Sequence, residues 1–81
     1  MIESQVDGTI YKGSTSDYSK RLEEHNSGRS RYTSRKMPWV LVYVEKFQTK
    51  NEALVRERQL KRANPKYLRW LISQPTNLLN R

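Results

Sequence analysis

The chain is short, basic and free of cysteine. With 81 residues it suits one domain with a thin core, because a chain of this size buries only about 60% of the surface its unfolded form exposes. The absence of cysteine excludes a disulfide framework and any thiolate metal site. We expect a single cytoplasmic domain over residues 1–81, with a core over about 7–72, a C-terminal tail at 75–81, no signal peptide and no membrane-spanning segment.

The surplus of positive charge indicates a polyanionic partner. Lysine and arginine number 16 against 8 acidic residues, which gives a net charge of +8. Residues 29–36 carry only positive charges, and residues 56–69 carry several cations around the single acid Glu57. Clusters of this kind contact phosphates in nucleic-acid-binding proteins. A solvated basic surface and attraction to anionic lipid are the alternatives, although no segment pairs a basic face with a large aromatic face.

The chain opens with a predicted hairpin. Residues 8–13 read as a short strand, since β-branched and aromatic residues lie between glycines, and Asp7-Gly8 is a hairpin-turn signature. A hairpin needs a strand on both sides of its turn, yet only six residues precede this one. We therefore expect the first strand to be truncated.

A helix is predicted between residues 14 and 28. Ser16 or Asp17 can cap its start, and Gly28 suits the left-handed position after its end. Its apolar stripe consists of Tyr18, Leu22 and His25. Residues 29–38 lack any apolar period and are predicted to form a basic loop.

The second half of the chain is predicted to hold one strand and two helices. The apolar run 39–44 favours a strand buried on both faces. Thr49 and Glu52 form a capping box that opens a helix running to about Ala63. Asn64-Pro65 then starts a further helix that ends before Pro75. Its expected apolar face consists of Tyr67, Leu68, Leu71 and Ile72. The order of elements predicts an α+β domain with a small, mostly antiparallel sheet.

One carboxylate conflicts with the pattern of the middle helix. Its apolar arc consists of Ala53, Leu54 and Leu60. The cations expected to point away from that arc are Arg56, Arg58 and Arg62. Glu57 falls inside the arc, where an ionised carboxylate is costly unless it is paired or bound to a metal. It is either a structural ion pair with Arg21 or Lys61, or a ligand of Mg²⁺, which commonly sits on one or two carboxylates.

Other side chains also allow two interpretations when the residues alone are considered. Tyr11 is a packing residue or a catalyst, Arg21 covers apolar surface or binds phosphate, and His25 is structural or transfers protons.

Four stretches in this order resemble the GIY-YIG nuclease superfamily, in particular its small stand-alone bacterial members. They are residues 7–15, 21–28, 32–39 and 52–57. The chain is also similar to the amino-terminal nuclease domain of the excision-repair endonuclease. The resemblance implies a three-stranded antiparallel sheet flanked by helices, a role such as DNA repair, and phosphodiester cleavage that depends on Mg²⁺ or Mn²⁺.

The resemblance also implies roles for individual residues. Tyr11 and Gly13 correspond to the tyrosine and glycine of the second signature tripeptide, here Tyr-Lys-Gly. Arg21 corresponds to the helix arginine that faces the scissile phosphate, and His25 to a histidine of many members. Glu57 corresponds to the metal-binding glutamate.

Two features depart from the family pattern. The family's first tripeptide supplies another tyrosine on the opening strand, and no counterpart stands within Met1–Ser4. Family members often place an asparagine near the end of the domain. The nearest candidate is Asn64, which also has the features of a helix cap.

Three functions remain open from the sequence. The leading hypothesis is a metal-dependent DNA endonuclease with Glu57 at its metal. Its expected nucleic-acid-binding residues are Arg29, Arg31, Arg35, Lys36 and Lys61. A non-catalytic nucleic-acid-binding module is the second hypothesis, and an RNA-binding factor associated with ribosomes is the third. A truncated first strand leaves room for pairing between chains, so a monomer or a weak homodimer is expected.

Overall fold

The computed structural model describes residues 1–29 and 31–80. The described chain divides into two compact units, of which the first comprises Met1–Leu41 and the second begins at Val42. Each unit is built around its own small core.

A three-stranded antiparallel sheet forms the centre of the first unit. Strand β1 (Ile2–Ser4) lies between β2 (Ile10–Tyr11) and β3 (Trp39–Leu41). Ile2 is opposite Tyr11 on one side and Leu41 on the other. The predicted sheet is confirmed, and its first strand, although only three residues long, is paired along both edges.

The turn between β1 and β2 is held by short polar side chains. Gly8 has a φ of 76°, in the left-handed region that glycine adopts without steric cost. The buried hydroxyl of Ser4 accepts from the backbone N–H of Val6 at 3.1 Å and donates to the carbonyl of Lys36 at 2.7 Å. The Asp7 carboxylate accepts from the backbone N–H of Thr9 at 3.0 Å. The hairpin turn predicted at Asp7-Gly8 is therefore confirmed.

Helix α1 (Tyr18–Asn26) forms as predicted. Tyr18, which was expected on its apolar stripe, is 43% exposed, so that part of the prediction was wrong. The Asp17 side chain caps α1 by accepting from the backbone N–H of Lys20, and Gly28 has a φ of 80°. The prediction of a loop over residues 29–38 was wrong for Arg31–Ser34, which form the short helix α2. Contacts of Thr33, rather than an apolar period, hold this turn in place.

Strand β3 is shorter and more exposed than predicted. Trp39 is buried, but the side chain of Val40 is 46% exposed. Val40 pairs with Glu3 of β1, so the two side chains share the face of the sheet opposite to Trp39. The expectation of a strand buried on both faces over residues 39–44 was therefore wrong. The backbone of Val42 and Val44 bonds instead to the side chain of Asn77, at 2.8 and 3.1 Å.

The second unit consists of α3 (Lys50–Lys61), α4 (Pro65–Ile72) and a 3-10 turn (Leu78–Asn80). Both predicted caps are confirmed, since Thr49 accepts from the N–H of Glu52 and Asn64 from that of Tyr67. The buried apolar residues of this unit are Tyr43, Val44, Leu60, Leu68 and Leu71.

Two expectations for the end of the chain were wrong. Tyr67, predicted on the apolar face of α4, is exposed. Asn77 lies in the segment expected to be a tail, but it is buried and bonded.

Candidate active site

Tyr11 lies at the centre of an aromatic cluster in the first unit. Its ring centroid is 4.9 Å from that of His25, 6.0 Å from that of Tyr32 and 6.3 Å from that of Trp39. These rings come from β2, α1, α2 and β3 respectively. Each of α1, α2 and β3 thus contributes one ring to the surroundings of Tyr11.

Position 13 leaves little room for a side chain, whereas its backbone conformation does not call for glycine. Its φ is not positive, unlike those of Gly8 and Gly28. A Cβ atom at Gly13 would stand 3.3 Å from Cε1 of Tyr11, which is closer than ordinary van der Waals contact. Because neighbouring rings crowd Tyr11, a side chain at position 13 would have to displace the tyrosine.

Arg21 brings a positive charge to Tyr11 and is also tied to an acid. Its Nη1 lies 2.8 Å from Oε2 of Glu24, one turn further along α1, and both side chains are well exposed. The hydrogen bond that Arg21 donates to Glu24 raises the pKa of Arg21, and the Tyr11 hydroxyl adds to this against the opposing effect of burial. An exposed pair of this kind contributes little stability, so Arg21 can exchange Glu24 for another anion at small cost.

His25 is buried and takes part in a chain of hydrogen bonds. Only 2% of its surface is exposed, and its Nδ1 shares a hydrogen bond of 2.9 Å with Oγ1 of Thr33. The carbonyl of Thr33 accepts from the indole N–H of Trp39 at 2.9 Å. Burial lowers the pKa of His25, and the charge of Arg21 lowers it further. The imidazole is therefore held neutral at neutral pH, with its Nδ1 already engaged.

Thr33 and Asn26 support this cluster, although sequence patterns assign them no role. The Asn26 side chain donates to the carbonyl of Trp39 at 3.0 Å and accepts from its N–H at 2.7 Å. This bidentate contact joins the end of α1 to the start of β3, directly beside His25. Both lie in stretches that resemble the family, but neither belongs to an apolar period or a capping motif that would give it a role.

The predicted phosphate-binding cations of the first unit are not equivalent. Arg29, Arg31 and Arg35 are exposed. Lys36 is half-buried, and its Nζ lies 3.1 Å from both the Asp7 carboxylate and the Thr9 hydroxyl. Hydrogen bonds from Thr9, followed by the contact with Lys36, hold the pKa of Asp7 well below its usual range. Lys36 thus serves the hairpin turn as well as the surface charge.

Glu57 lies in the second unit as a half-buried carboxylate. Its side chain is 20% exposed, and Oε2 lies 3.3 Å from Nζ of the more exposed Lys61. Of the two ion-pair partners considered from sequence, the structure shows Lys61. The neighbouring Arg56 does not point to solvent as predicted, because it is half-buried and bonds Glu45 at 3.1 Å.

Glu57 could hold a metal ion whose other ligands are water and substrate, but not one that is held by several of the side chains that the structure describes. Among residues 1–29 and 31–80, no group of three or more His, Cys, Asp or Glu side chains could hold a metal ion. A single carboxylate still suits Mg²⁺, which retains several waters and takes its other ligands from phosphate oxygens. The ion pair with Lys61 is partly exposed, so the carboxylate can exchange this partner.

The sequence matches a known protein family over most of its length. A family model described as the GIY-YIG catalytic domain matches residues 1–68. The chain belongs to the GIY-YIG family. This membership places it in a superfamily of nucleases, whose substrates are nucleic acids.

The GIY-YIG chain also has curated relatives in staphylococci. A UPF0213 protein of Staphylococcus saprophyticus is 46% identical over 56 residues, which cover 68% of either chain. UPF0213 proteins of Staphylococcus aureus strains Mu3 and N315 are 45% identical over 56 residues, which again cover 68% of either chain. No solved structure matches this chain.

The GIY-YIG match includes every candidate site residue of the sequence analysis. The structure brings Tyr11, Arg21 and His25 together in the first unit, while Glu57 and Lys61 lie in the second. Asn64 is the cap of α4. No described helix is long and apolar enough to cross a bilayer.

Proposed function

We propose that this GIY-YIG protein is an endonuclease that hydrolyses DNA phosphodiester bonds with the help of Mg²⁺ or Mn²⁺. The observation that supports this most strongly is the position of Tyr11. Its ring contacts the buried His25, and its hydroxyl interacts with the exposed Arg21. A polar hydroxyl, a fixed positive charge and a neutral imidazole are the groups that phosphoryl chemistry uses.

Each residue of this cluster has a distinct role in the proposed reaction. Arg21 leaves Glu24 to bind the scissile phosphate and stabilises its developing negative charge. The Tyr11 hydroxyl orients the attacking water, and the absence of a side chain at Gly13 leaves room for its ring. His25, whose Nδ1 is engaged by Thr33, accepts or returns a proton through Nε2.

Glu57 is the residue proposed to hold the metal. A bound Mg²⁺ or Mn²⁺ would supply Lewis-acid stabilisation of charge on the phosphate oxygens. The half-buried position of Glu57 strengthens the attraction between its carboxylate and a cation. Lys61 then becomes available to bind a neighbouring phosphate.

We further propose a cytoplasmic protein that acts on DNA as a monomer or weak homodimer, in a process such as DNA repair, with RNA as the alternative substrate. The net charge of +8 supports binding to the phosphate backbone, which carries no sequence information. The residues proposed to contact the backbone are Arg29, Arg31, Arg35, Lys36 and Lys61. Among them Lys36 is expected to contribute least, because Asp7 already neutralises it.

The test compares two glutamates of α3. Plasmid and branched DNA are incubated with Mg²⁺ or Mn²⁺ and the parent chain, Glu57→Gln or Glu52→Gln. Both substitutions remove one negative charge, but Glu52 is an exposed first-turn residue whose replacement by Gln retains the capping pattern. Cleavage by the parent and by Glu52→Gln, together with its loss in Glu57→Gln, is the expected result. Equal cleavage by both variants would refute the role of Glu57.

One observation favours a second function, a nucleic-acid-binding module without catalysis. Strand β1 consists of Ile2, Glu3 and Ser4 and therefore carries no tyrosine. Under this alternative none of the proteins cuts DNA with either metal, and Glu57→Gln binds DNA at least as tightly as the parent.

A further inference from the structure

Helix α4 presents two aromatic side chains to solvent. The exposed fractions are 41% for Tyr67 and 55% for Trp70, which lie one turn apart on the same side of the helix. Their ring centroids are 5.6 Å apart and their planes are inclined by 31°. Leu68 and Leu71 already supply the buried face of α4. The two rings are therefore not among the buried residues of α4.

The hydroxyl of Tyr67 lies near a paired guanidinium. This hydroxyl interacts with the guanidinium of Arg56, which is itself fixed by a 3.1 Å contact with the carboxylate of Glu45. The tilted contact between the two rings presents them together as one aromatic surface.

The segment that carries the pair holds only positive charges. Residues 58–70 contain no acidic residue. The cations of this segment are Arg58, Lys61, Arg62, Lys66 and Arg69. Lys66 and Arg69 directly precede Tyr67 and Trp70, so they lie beside the rings on the adjacent side of α4. The matching ligand is a polyanion that also carries flat apolar faces.

We propose that Tyr67 and Trp70, flanked by Lys66 and Arg69, bind unpaired nucleotides of a single-stranded or branched nucleic acid. Exposed rings that stack on bases, next to cations that contact the backbone, are the recurrent solution for single-stranded ligands. A membrane surface is a poorer match, since α4 has eight residues and its leucines are buried in the protein. The site extends the proposed nuclease function by naming unpaired nucleotides as the substrate feature, but its binding does not depend on cleavage.

Tryptophan fluorescence tests this site, because the chain contains two tryptophans and the other, Trp39, is buried. The protein is titrated in EDTA and low salt with a single-stranded thymidine oligonucleotide of about 15 nucleotides, roughly the upper site size of single-strand-binding modules. An abasic oligomer of equal length provides the same phosphates without bases. We expect the thymidine oligomer to quench the fluorescence of the parent and to bind more tightly than the abasic oligomer.

The decisive variant is Trp70→Ala, measured by fluorescence anisotropy of labelled oligomers. Its affinity for the thymidine oligomer should fall about tenfold or more, because a stacking partner is lost, while its affinity for the abasic oligomer stays unchanged. Trp70→Phe should retain most of the affinity. Tyr18→Ala, which removes a similarly exposed aromatic ring from the first unit, should bind like the parent.

Three results would overturn the proposal. Trp70→Ala could bind the thymidine oligomer like the parent, or it could lose equal affinity for both oligomers. Alternatively, sedimentation could show a parent dimer that Trp70→Ala dissociates, in which case a second copy covers the rings. Because EDTA prevents metal-dependent cleavage, failure here is distinguishable from failure of the nuclease proposal.

Discussion

Asn77 should be the most sensitive polar side chain of the second unit. Its Nδ2 donates to the carbonyls of Val42 and Ile72 at 2.8 and 2.9 Å. Its Oδ1 accepts from the backbone N–H groups of Val44 and Leu79, both at 3.1 Å. Only 1% of the residue is exposed. One side chain thus satisfies four backbone groups from three segments of the unit.

Replacing Asn77 with Ala removes all four hydrogen bonds, but only some of the four backbone groups are then left without a partner. Ile72 keeps a bond from Nδ2 of Asn80, and Leu79 is exposed, so water can replace its partner. The carbonyl of Val42 and the N–H of Val44 are left without the side chain that bonds them. Each such group costs about 1–3 kcal/mol when it is buried. The expected loss in the free energy of unfolding is therefore about 2–6 kcal/mol.

That loss is large for a chain of this size, whose total stability is expected to be about 4–12 kcal/mol. Urea unfolding followed by far-ultraviolet circular dichroism measures it, and the melting temperature should fall by about 8 °C or more. Asn80→Ala is the matched control, since its amide also donates to two carbonyls but the residue is exposed. A loss below about 1 kcal/mol for Asn77→Ala, or an equal loss for Asn80→Ala, would refute this reasoning.

Three further predictions concern the first unit. Glu24→Gln frees Arg21 and should tighten binding to duplex DNA severalfold at low salt, as measured by fluorescence anisotropy; unchanged affinity would show that the ion pair does not compete with phosphate. Because burial lowers the pKa of His25, the unfolded chain takes up the proton first, so stability should fall as the pH drops through about 6.5. Urea unfolding of His25→Asn between pH 7.5 and 5.5 should show a weaker pH dependence, and an unaltered slope would contradict the assignment. Gly13→Ala should displace Tyr11 and reduce DNA cleavage more than DNA binding, so parent-like cleavage would show that position 13 does not crowd the tyrosine.

Local signals predicted most of the helices because the interactions that start them span three residues. Asp17, Thr49 and Asn64 each cap the helix that follows, as the sequence indicated. The hairpin turn at Asp7-Gly8 was equally local. Boundaries set by distant contacts were missed: Asn77 bonds residues 42 and 44, which lie more than 30 positions away, and so ends β3 early.

In the candidate site too, local features were predicted from the sequence and contacts between distant residues were not. Periodicity identified Glu57 as a carboxylate on an apolar arc, and the structure shows it half-buried beside Lys61. The contact between Tyr11 and His25 joins a strand to a helix, which no spacing rule predicts, and only the family resemblance suggested it. Thr33, which bonds His25, lies in a stretch that resembles the family, but neither periodicity nor capping gives it a role.

The most direct test of phosphodiester hydrolysis by this chain is single-turnover cleavage of a labelled branched DNA in Mg²⁺ or Mn²⁺ by the parent and by Tyr11→Phe. This substitution removes one hydroxyl and keeps the ring beside His25. We predict cleavage by the parent and a loss in rate of about 100-fold or more in Tyr11→Phe, the magnitude typical of losing one positioned hydrogen-bonding group, with DNA binding unchanged. Parent-like cleavage by Tyr11→Phe, or no cleavage by the parent in either metal, would contradict the proposed mechanism.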